Sequence, residues 1–315
     1  MIISKFAYQI IKKLDKITLV KFLNFNQYFL IHKSFGFILK KLDFYYTHGY
    51  ELDLKNPKTF NEKIVYRQLF ERDPLLTKLV DKYEVRKYVK EKIGEEYLIP
   101  LLQVADSFEE IDFTKLPDEY IMKMTHASGE NIIVKKDENY LGFSKTILKK
   151  TFKKWFNEKY RYQDLIGFVQ GIERRIIIEQ LLKNKNGKIP KDYKLFVFNG
   201  KVEFILVVHD RFDKYTENLY YRDWSVANFT FKDPVGEVDK KPDFLDDLIL
   251  IAEKLASAFT AIRVDLYVLG KKIYFGELTP AHNNAQDIFC PFYYDKYYGE
   301  KWKNYQSLLL NDIKE

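Results

Sequence analysis

The sequence predicts an α+β chain in which antiparallel strand pairs and separate amphipathic helices build two or three subdomains around a cleft. Three observations support this. The length, 315 residues, is about twice a typical domain, so subdomains are expected. Apolar and polar residues alternate in three adjacent strand pairs, each joined by a short loop of turn-forming residues. Between the pairs lie stretches whose apolar residues recur every three or four positions, the mark of a helix with one buried face.

Residues 1–41 come first, with eight lysines against the single Asp15, which accounts for the whole formal net charge of +7. The remaining chain is neutral overall, which argues against nucleic acid as a partner. Ile3, Phe6, Ile10, Leu14 and Ile17 recur at helical steps with lysines between them. This predicts a basic amphipathic segment over 1–60 that either packs on the body or contacts an anionic membrane peripherally. Lysines interrupt every apolar run short of the ~20 residues that a bilayer crossing needs. No signal-type core with a small-residue cleavage site follows, so a cytoplasmic location is expected, with the inner membrane face as an extension of it. Cys290, the only cysteine, excludes an internal disulfide and any multi-cysteine metal site, and is expected to be a buried filler.

Asp73-Pro74 starts a helix read as running to Gly94, with Leu76, Leu79, Val80 and Tyr83 on one stripe and Asp81, Lys82 and Arg86 riding on it. "DEYIMKM" and "ENIIVKK" read as a hairpin around the loop "THASG", which presents Lys123 beside a glycine-containing tip. A helix is expected over 144–159 and a buried strand at "RRIIIEQLL". "DYKLFVF" and "KVEFILVVHD" flank Asn199-Gly200, a strong hairpin signal. A further helix is expected over 243–261, and the residues after 290 read as a C-terminal helical tail, 291–315.

The last strand pair carries the chemistry. With strands 263–269 and 273–279 joined by the three-residue loop Gly270-Lys271-Lys272, Asp265 opposes Glu277 and Arg263 opposes Thr279. Val264, Leu266, Val268, Tyr274, Gly276 and Leu278 then share the apolar face. Two carboxylates ~5 Å apart repel by about 3 kcal/mol at an effective dielectric of ~20, so a cation or a shared proton is expected between them. Hard oxygen donors favour Mg²⁺ over zinc. The simpler alternative is a solvated face on which Arg263 pairs with Asp265, and a two-residue loop would put the carboxylates on opposite faces.

The order of these elements resembles the ATP-grasp superfamily. "NPKTFNEKI", "DKYEVRKYV", "IGEEYLIPLL", "KMTHASGENI", "DYKLFVFNGK" and "RVDLY…FGELT" are similar to the TupA-like ATP-grasp proteins of bacterial surface-polysaccharide loci, often labelled glycosyltransferases. The resemblance implies two α+β subdomains clasping ATP with Mg²⁺, a domain over 61–290 and a lid subdomain at roughly 118–182. It also implies residue roles. Lys82 and Lys123 reach the nucleotide phosphates. The loop Thr125, His126, Ser128 and Gly129 closes over the phosphates, while Glu179, Gln180 and Leu182 form the hinge that meets adenine. Asp265 and Glu277 ligate magnesium, and Arg263 steadies the transferred phosphoryl group. Lys194 is assigned to phosphate or substrate, and Arg211 is a further catalytic candidate at the end of the strand that carries His209.

This sequence departs from the family pattern in three places. The usual Glu-x-Asn is Glu277-Leu278-Thr279, leaving Thr279, Asn283 or Asn284 for the asparagine's task. No acidic residue for the ribose is evident in "KNKNGKIPKD", and no Rossmann-like half precedes the first lysine. The resemblance implies a carboxylate–amine ligase with saccharide or small-molecule carboxylate and amine substrates. The alternatives are a glycosyltransferase, weakened by the absence of an Asp-x-Asp motif, and a non-catalytic scaffold at the membrane face.

Overall fold

A computed structural model describes residues 25–135, 145–157, 166–209 and 215–303. The chain divides into two compact units, the first drawn from Met1–Arg72, Lys159–Gln170 and Ala281–Glu315, the second from Asp73–Glu158 and Gly171–Pro280. The apolar repeat from Ile3 to Ile17 lies outside the described residues, as does Arg211.

In the first unit, α1 (Phe25–Ser34) and α2 (Ile38–His48) are joined by a tight turn. A capping box opens α3 (Phe60–Phe70): the Thr59 hydroxyl accepts from the Glu62 amide, and the Glu62 carboxylate accepts from the Thr59 amide. This helix is buried almost all round. Lys63 donates to the carbonyls of Gly299 (2.6 Å) and Trp302 (2.8 Å) at the end of α8 (Tyr293–Lys301), satisfying acceptors that a helix C-terminus leaves open. The Arg67 guanidinium lies over the Trp302 ring at 4.3 Å and pairs with Glu71. Cys290 is exposed, against the expectation of a buried filler.

The second unit holds two antiparallel sheets. The four-stranded sheet has the order β1 (Leu101–Ala105), β4 (Ile176–Gln180), β2 (Glu119–Met124), β3 (Asn131–Lys135), and α6 (Lys145–Asn157) follows β3 in the chain. The five-stranded sheet has the order β7 (Thr216–Tyr221), β6 (Lys201–His209), β5 (Asp192–Phe198), β8 (Ala261–Leu269), β9 (Lys272–Thr279). Helix α7 (Leu245–Leu255) packs Leu248, Ala252 and Leu255, all at 0 % exposure, toward strands β5, β6 and β8. Asn199 and Gly200, at φ 48° and 79°, close β5 onto β6 in the type I′ geometry that matches strand twist.

The helix expected from Asp73 to Gly94 is broken into α4 (Pro74–Val80) and α5 (Val85–Lys92). The Asp81 carboxylate accepts from the amides of Tyr83 (2.8 Å) and Glu84 (3.2 Å), competing with helical bonding, and the Lys82 amide donates to the Thr125 carbonyl at 3.0 Å. Lys82 therefore stands in the break, not on a helix face.

The β8–β9 hairpin differs from expectation in a second way. Its turn has two residues, Gly270 and Lys271, with Leu269 opposite Lys272 and Leu266 opposite Phe275. A bulge between Asp265 and Leu266 leaves Gly276 as the extra residue and restores Asp265 opposite Glu277 and Arg263 opposite Thr279. The apolar face of β9 is therefore Ile273, Phe275 and Leu278, and not Tyr274 and Gly276. A Cβ at Gly276 would come within 3.0 Å of both the Asp265 carbonyl and the Tyr267 ring.

Candidate functional site

The bulge and the strand order place Lys194 beside Asp265 and Asp265 beside Glu277 in one row across β5, β8 and β9. Asp265 is 1 % exposed. Its carboxylate accepts from Arg263 Nε at 2.6 Å and from Arg263 Nη2 at 2.8 Å, and it also accepts from Lys194 at 2.5 Å. The same Nη2 reaches Glu277 at 2.6 Å, and the Thr279 hydroxyl donates to that Glu277 oxygen at 3.0 Å. Lys194 is held from its other side by Asp192 at 2.7 Å, itself buried.

The cation between the opposed carboxylates is thus the Arg263 guanidinium. Burial disfavours its charge, but Asp265 and Glu277 outweigh burial and keep it firmly protonated. For Asp265, burial dominates over the attraction of Arg263 and Lys194 and pushes its pKa up to about 6. Burial also opposes the charge on Glu277, yet Arg263, Lys194 and Lys82 hold it well below the usual carboxylate range. The two carboxylates therefore differ. Asp265 is an interior counterion, whereas the Glu277 side chain remains 43 % exposed. As a test of fit for magnesium, the exposed Glu277 carboxylate with the Thr279 hydroxyl offers hard oxygen donors, while Asp265 is first committed to two cations. Among the described residues, no group of three or more His, Cys, Asp and Glu side chains is arranged to hold a metal ion.

A second cluster lies at the four-stranded sheet. Lys123 on β2 bonds the Glu179 carboxylate on β4 at 2.7 Å, and Arg86 on α5 bonds the other Glu179 oxygen at 2.9 Å. Arg86 also donates to the Ile99 carbonyl at 2.9 Å. The Gln180 amide donates to the Pro100 carbonyl at 3.0 Å, while Leu182 is buried. Five residues, Thr125 to Gly129, close β2 onto β3, and the Met124 amide donates to the Glu130 carbonyl at 3.1 Å. Gly129, at φ 91°, takes the left-handed region that a side chain would strain. Beneath this loop the Lys82 ammonium donates to the Ala127 carbonyl, and burial lowers its pKa.

Within the loop, Ser128 and Gly129 are exposed, but Thr125 and His126 are not. The Thr125 hydroxyl donates to the Glu173 carbonyl at 2.8 Å and accepts from the Arg175 amide at 3.0 Å, fixing the loop to the start of β4. Burial, with Arg174 and Lys82 nearby, lowers His126 to about 4, so its ring is neutral at pH 7. Asn283 and Asn284 belong to the first unit and bond there to Asp287 and Gln68. His209 pairs with Asp239 at 3.0 Å, and His282 with Asp287 at 2.5 Å.

Sequence reasoning gave Arg86 and Asp192 no role, although both contact residues that it singled out. The "DYK" spacing carried the signal for Asp192, because positions two apart on a strand share a face. For Arg86 the sequence holds no comparable signal, since Glu179 is 93 residues away.

Two antiparallel sheets, one presenting a lysine beside a glycine-containing loop and the other a carboxylate row bridged by arginine, make the mixed α+β protein expected from the motifs. A family model for TupA-like ATPgrasp proteins matches residues 62–303, and the chain belongs to that family. Among solved structures the chain is similar to a D-alanine–D-alanine ligase from Bacillus anthracis, at 17 % identity over 74 % of this chain and 66 % of that one, TM-score 0.43. It is also similar to the D-alanine–D-alanine ligase of Helicobacter pylori, at 16 % identity over 75 % and 59 %, TM-score 0.36. A third similar structure is the ATP-grasp ligase PsnB complexed with a phosphomimetic variant of its minimal precursor, Mg and ADP, at 12 % identity over 66 % and 52 %, TM-score 0.36. The chain spans about half to two thirds of the length of these ligases. No curated protein sequence matches it.

Proposed function

We propose that this protein is an ATP- and Mg²⁺-dependent carboxylate–amine ligase that forms an amide through an acyl phosphate. The observation that carries this reading is the Lys194–Asp265–Arg263–Glu277 row with Thr279 beside it, in a chain of the TupA-like ATPgrasp family. In this reading the domain spans 61–290, with its lid at 118–182 closing over the nucleotide. Lys82 and Lys123 bind the polyphosphate, the exposed Ser128 and Gly129 offer backbone amides to it, and Glu179 to Leu182 border the adenine.

Glu277 and Thr279 hold the magnesium, with Asp265 behind them fixing Arg263 and Lys194. Bound there, the metal supplies charge neutralisation on the phosphate oxygens. An acceptor carboxylate oxygen attacks the γ-phosphorus, and the bond to the β–γ bridging oxygen breaks, releasing ADP. Arg263 and Lys194 offset the charge that gathers on the transferred group. An amine then attacks the acyl carbon, phosphate leaves, and the amine proton passes to solvent. Exclusion of water by the lid protects the acyl phosphate from hydrolysis. The substrates proposed are a uronic acid or related carboxylate of a surface polysaccharide and a small amine, brought together in the cytoplasm, where ATP is available.

Thermal shift of the purified chain with Mg-ADP or Mg-ATP, against Mg-bound nucleotide sugars, tests the reading. A ligand at about 100 times its Kd stabilises by ~2.7 kcal/mol. A shift with adenine nucleotides, followed by ADP release on adding uronic acids with amines, is the expected outcome. A shift with a nucleotide sugar alone replaces the ligase with a glycosyltransferase.

A further inference from the structure

The turn between α1 and α2 places one aromatic inside and one outside. Phe37 is 4 % exposed, with its ring 5.5 Å from Phe29 and 5.7 Å from Phe70. It holds φ 55°, a conformation that costs a bulky residue energy and persists only when its surroundings enforce it. Two residues earlier Phe35 is 72 % exposed, on a turn that is therefore anchored and not loose. Leu30 at 59 %, Ile38 at 41 % and Tyr45 at 42 % are exposed on the helices either side. Ile38, Lys41 and Tyr45 follow the i, i+3, i+7 spacing of one outward stripe on α2, and Lys33 is exposed two residues before Phe35. A protruding aromatic with apolar neighbours and lysines suits an interface with apolar depth and negative charge.

We propose that the α1–α2 turn is a membrane-contacting wedge, with Phe35 entering the headgroup region of an anionic bilayer and Leu30, Ile38 and Tyr45 lying along it. Charge complementarity selects this occupant, because the exposed charged residues on the helices beside the tip are Lys33 and Lys41, and α1 carries no acidic residue. Each lysine near an anionic leaflet strengthens binding about fivefold. The inference does not rest on the ligase reading.

Co-sedimentation of the full chain with phosphatidylglycerol-containing vesicles, and with vesicles of phosphatidylcholine alone, tests it. The expected result is binding to the anionic vesicles, at least tenfold weaker for Phe35→Ser and for the double variant Lys33→Glu/Lys41→Glu. Both variants keep the wild-type thermal response to Mg-ADP, so a failure of the wedge is distinguishable from a failure of the nucleotide site. The charge variant substitutes exposed residues only, which preserves the test should Phe35→Ser misfold. Wild-type affinity in both variants overturns the proposal, as does absence of vesicle binding by the wild type. So does self-association of the wild type, without vesicle binding, that Phe35→Ser abolishes; that result assigns the tip to a second copy of the chain.

Discussion

Asp265→Asn removes one negative charge and leaves two cations with less compensation. The carboxylate takes two bonds from Arg263 and one from Lys194, at 8 % and 11 % side-chain exposure. Arg263 keeps Glu277, and Lys194 keeps Asp192, so neither cation is wholly abandoned. Burial already offsets part of the worth of the Asp265 charge, so the loss is set by geometry: an amide offers one oxygen in place of two and turns an N–H toward donors, a mismatch of about 3 kcal/mol in a buried cluster. About 3 kcal/mol is a rise of roughly a hundredfold in the local opening constant. With two compact units, a single global unfolding free energy is poorly defined, so native-state hydrogen exchange at the β5 and β8 amides is the suitable assay. The substitution should speed exchange there about a hundredfold while leaving α3 amides unchanged. Replacing Arg263 by Met in the same chain should recover part of the loss. Exchange within threefold of wild type would refute the view that Asp265 is the counterion of this cluster.

Two further predictions concern the loop and the bulge. Because His126 is neutral when folded, with its pKa lowered to about 4, its contribution is fully present above pH ~6.5 and is lost as pH falls toward 4, at about 1.4 kcal/mol per unit. His126→Gln should therefore lose less protection than wild type at the β2 and β4 amides between pH 7.5 and 4.5, read as hydrogen-exchange protection factors, and parallel losses would show that the ring is accessible to protons. Gly276→Ala should destabilise the hairpin by about 1–3 kcal/mol, since the new methyl meets the Asp265 carbonyl and the Tyr267 ring at 3.0 Å. Unchanged hydrogen-exchange protection at the β8 and β9 amides would count against the bulge.

The opposition of Asp265 to Glu277 was legible in the sequence because strand alternation fixes faces locally. The means of achieving it was not, since a three-residue turn and a two-residue turn with a bulge give the same pairing beyond the bulge. The cation between the carboxylates was legible only as a requirement, which Arg263 meets before any metal is invoked. The break at Lys82 escaped periodicity analysis because the apolar stripe continues through it, whereas the Asp81 side chain decides where the helix stops. Helix α3 was hidden for the opposite reason. Asn61, Lys63, Arg67 and Gln68 are buried, so no polar face marks its outer side. Strand β1 pairs with β4 through a register shift between Leu101 and Gln103, which leaves no clean alternation to read.

The β8–β9 hairpin has a parity. From the turn, the pairing counts outward in steps that alternate face, and the unpaired Gly276 supplies the single step that brings Glu277 to the side of Asp265. Deleting Gly276 removes the bulge and leaves a regular two-residue hairpin in which Phe275 still opposes Leu266 and Glu277 still opposes Asp265, whereas a Gly276 drawn into the ladder opposite Asp265 would set Glu277 opposite Val264, on the other face. A chain that lacks the residue at 276 therefore keeps the same opposed pairs, so a one-residue gap at this position when related chains are aligned needs no partner elsewhere in the hairpin.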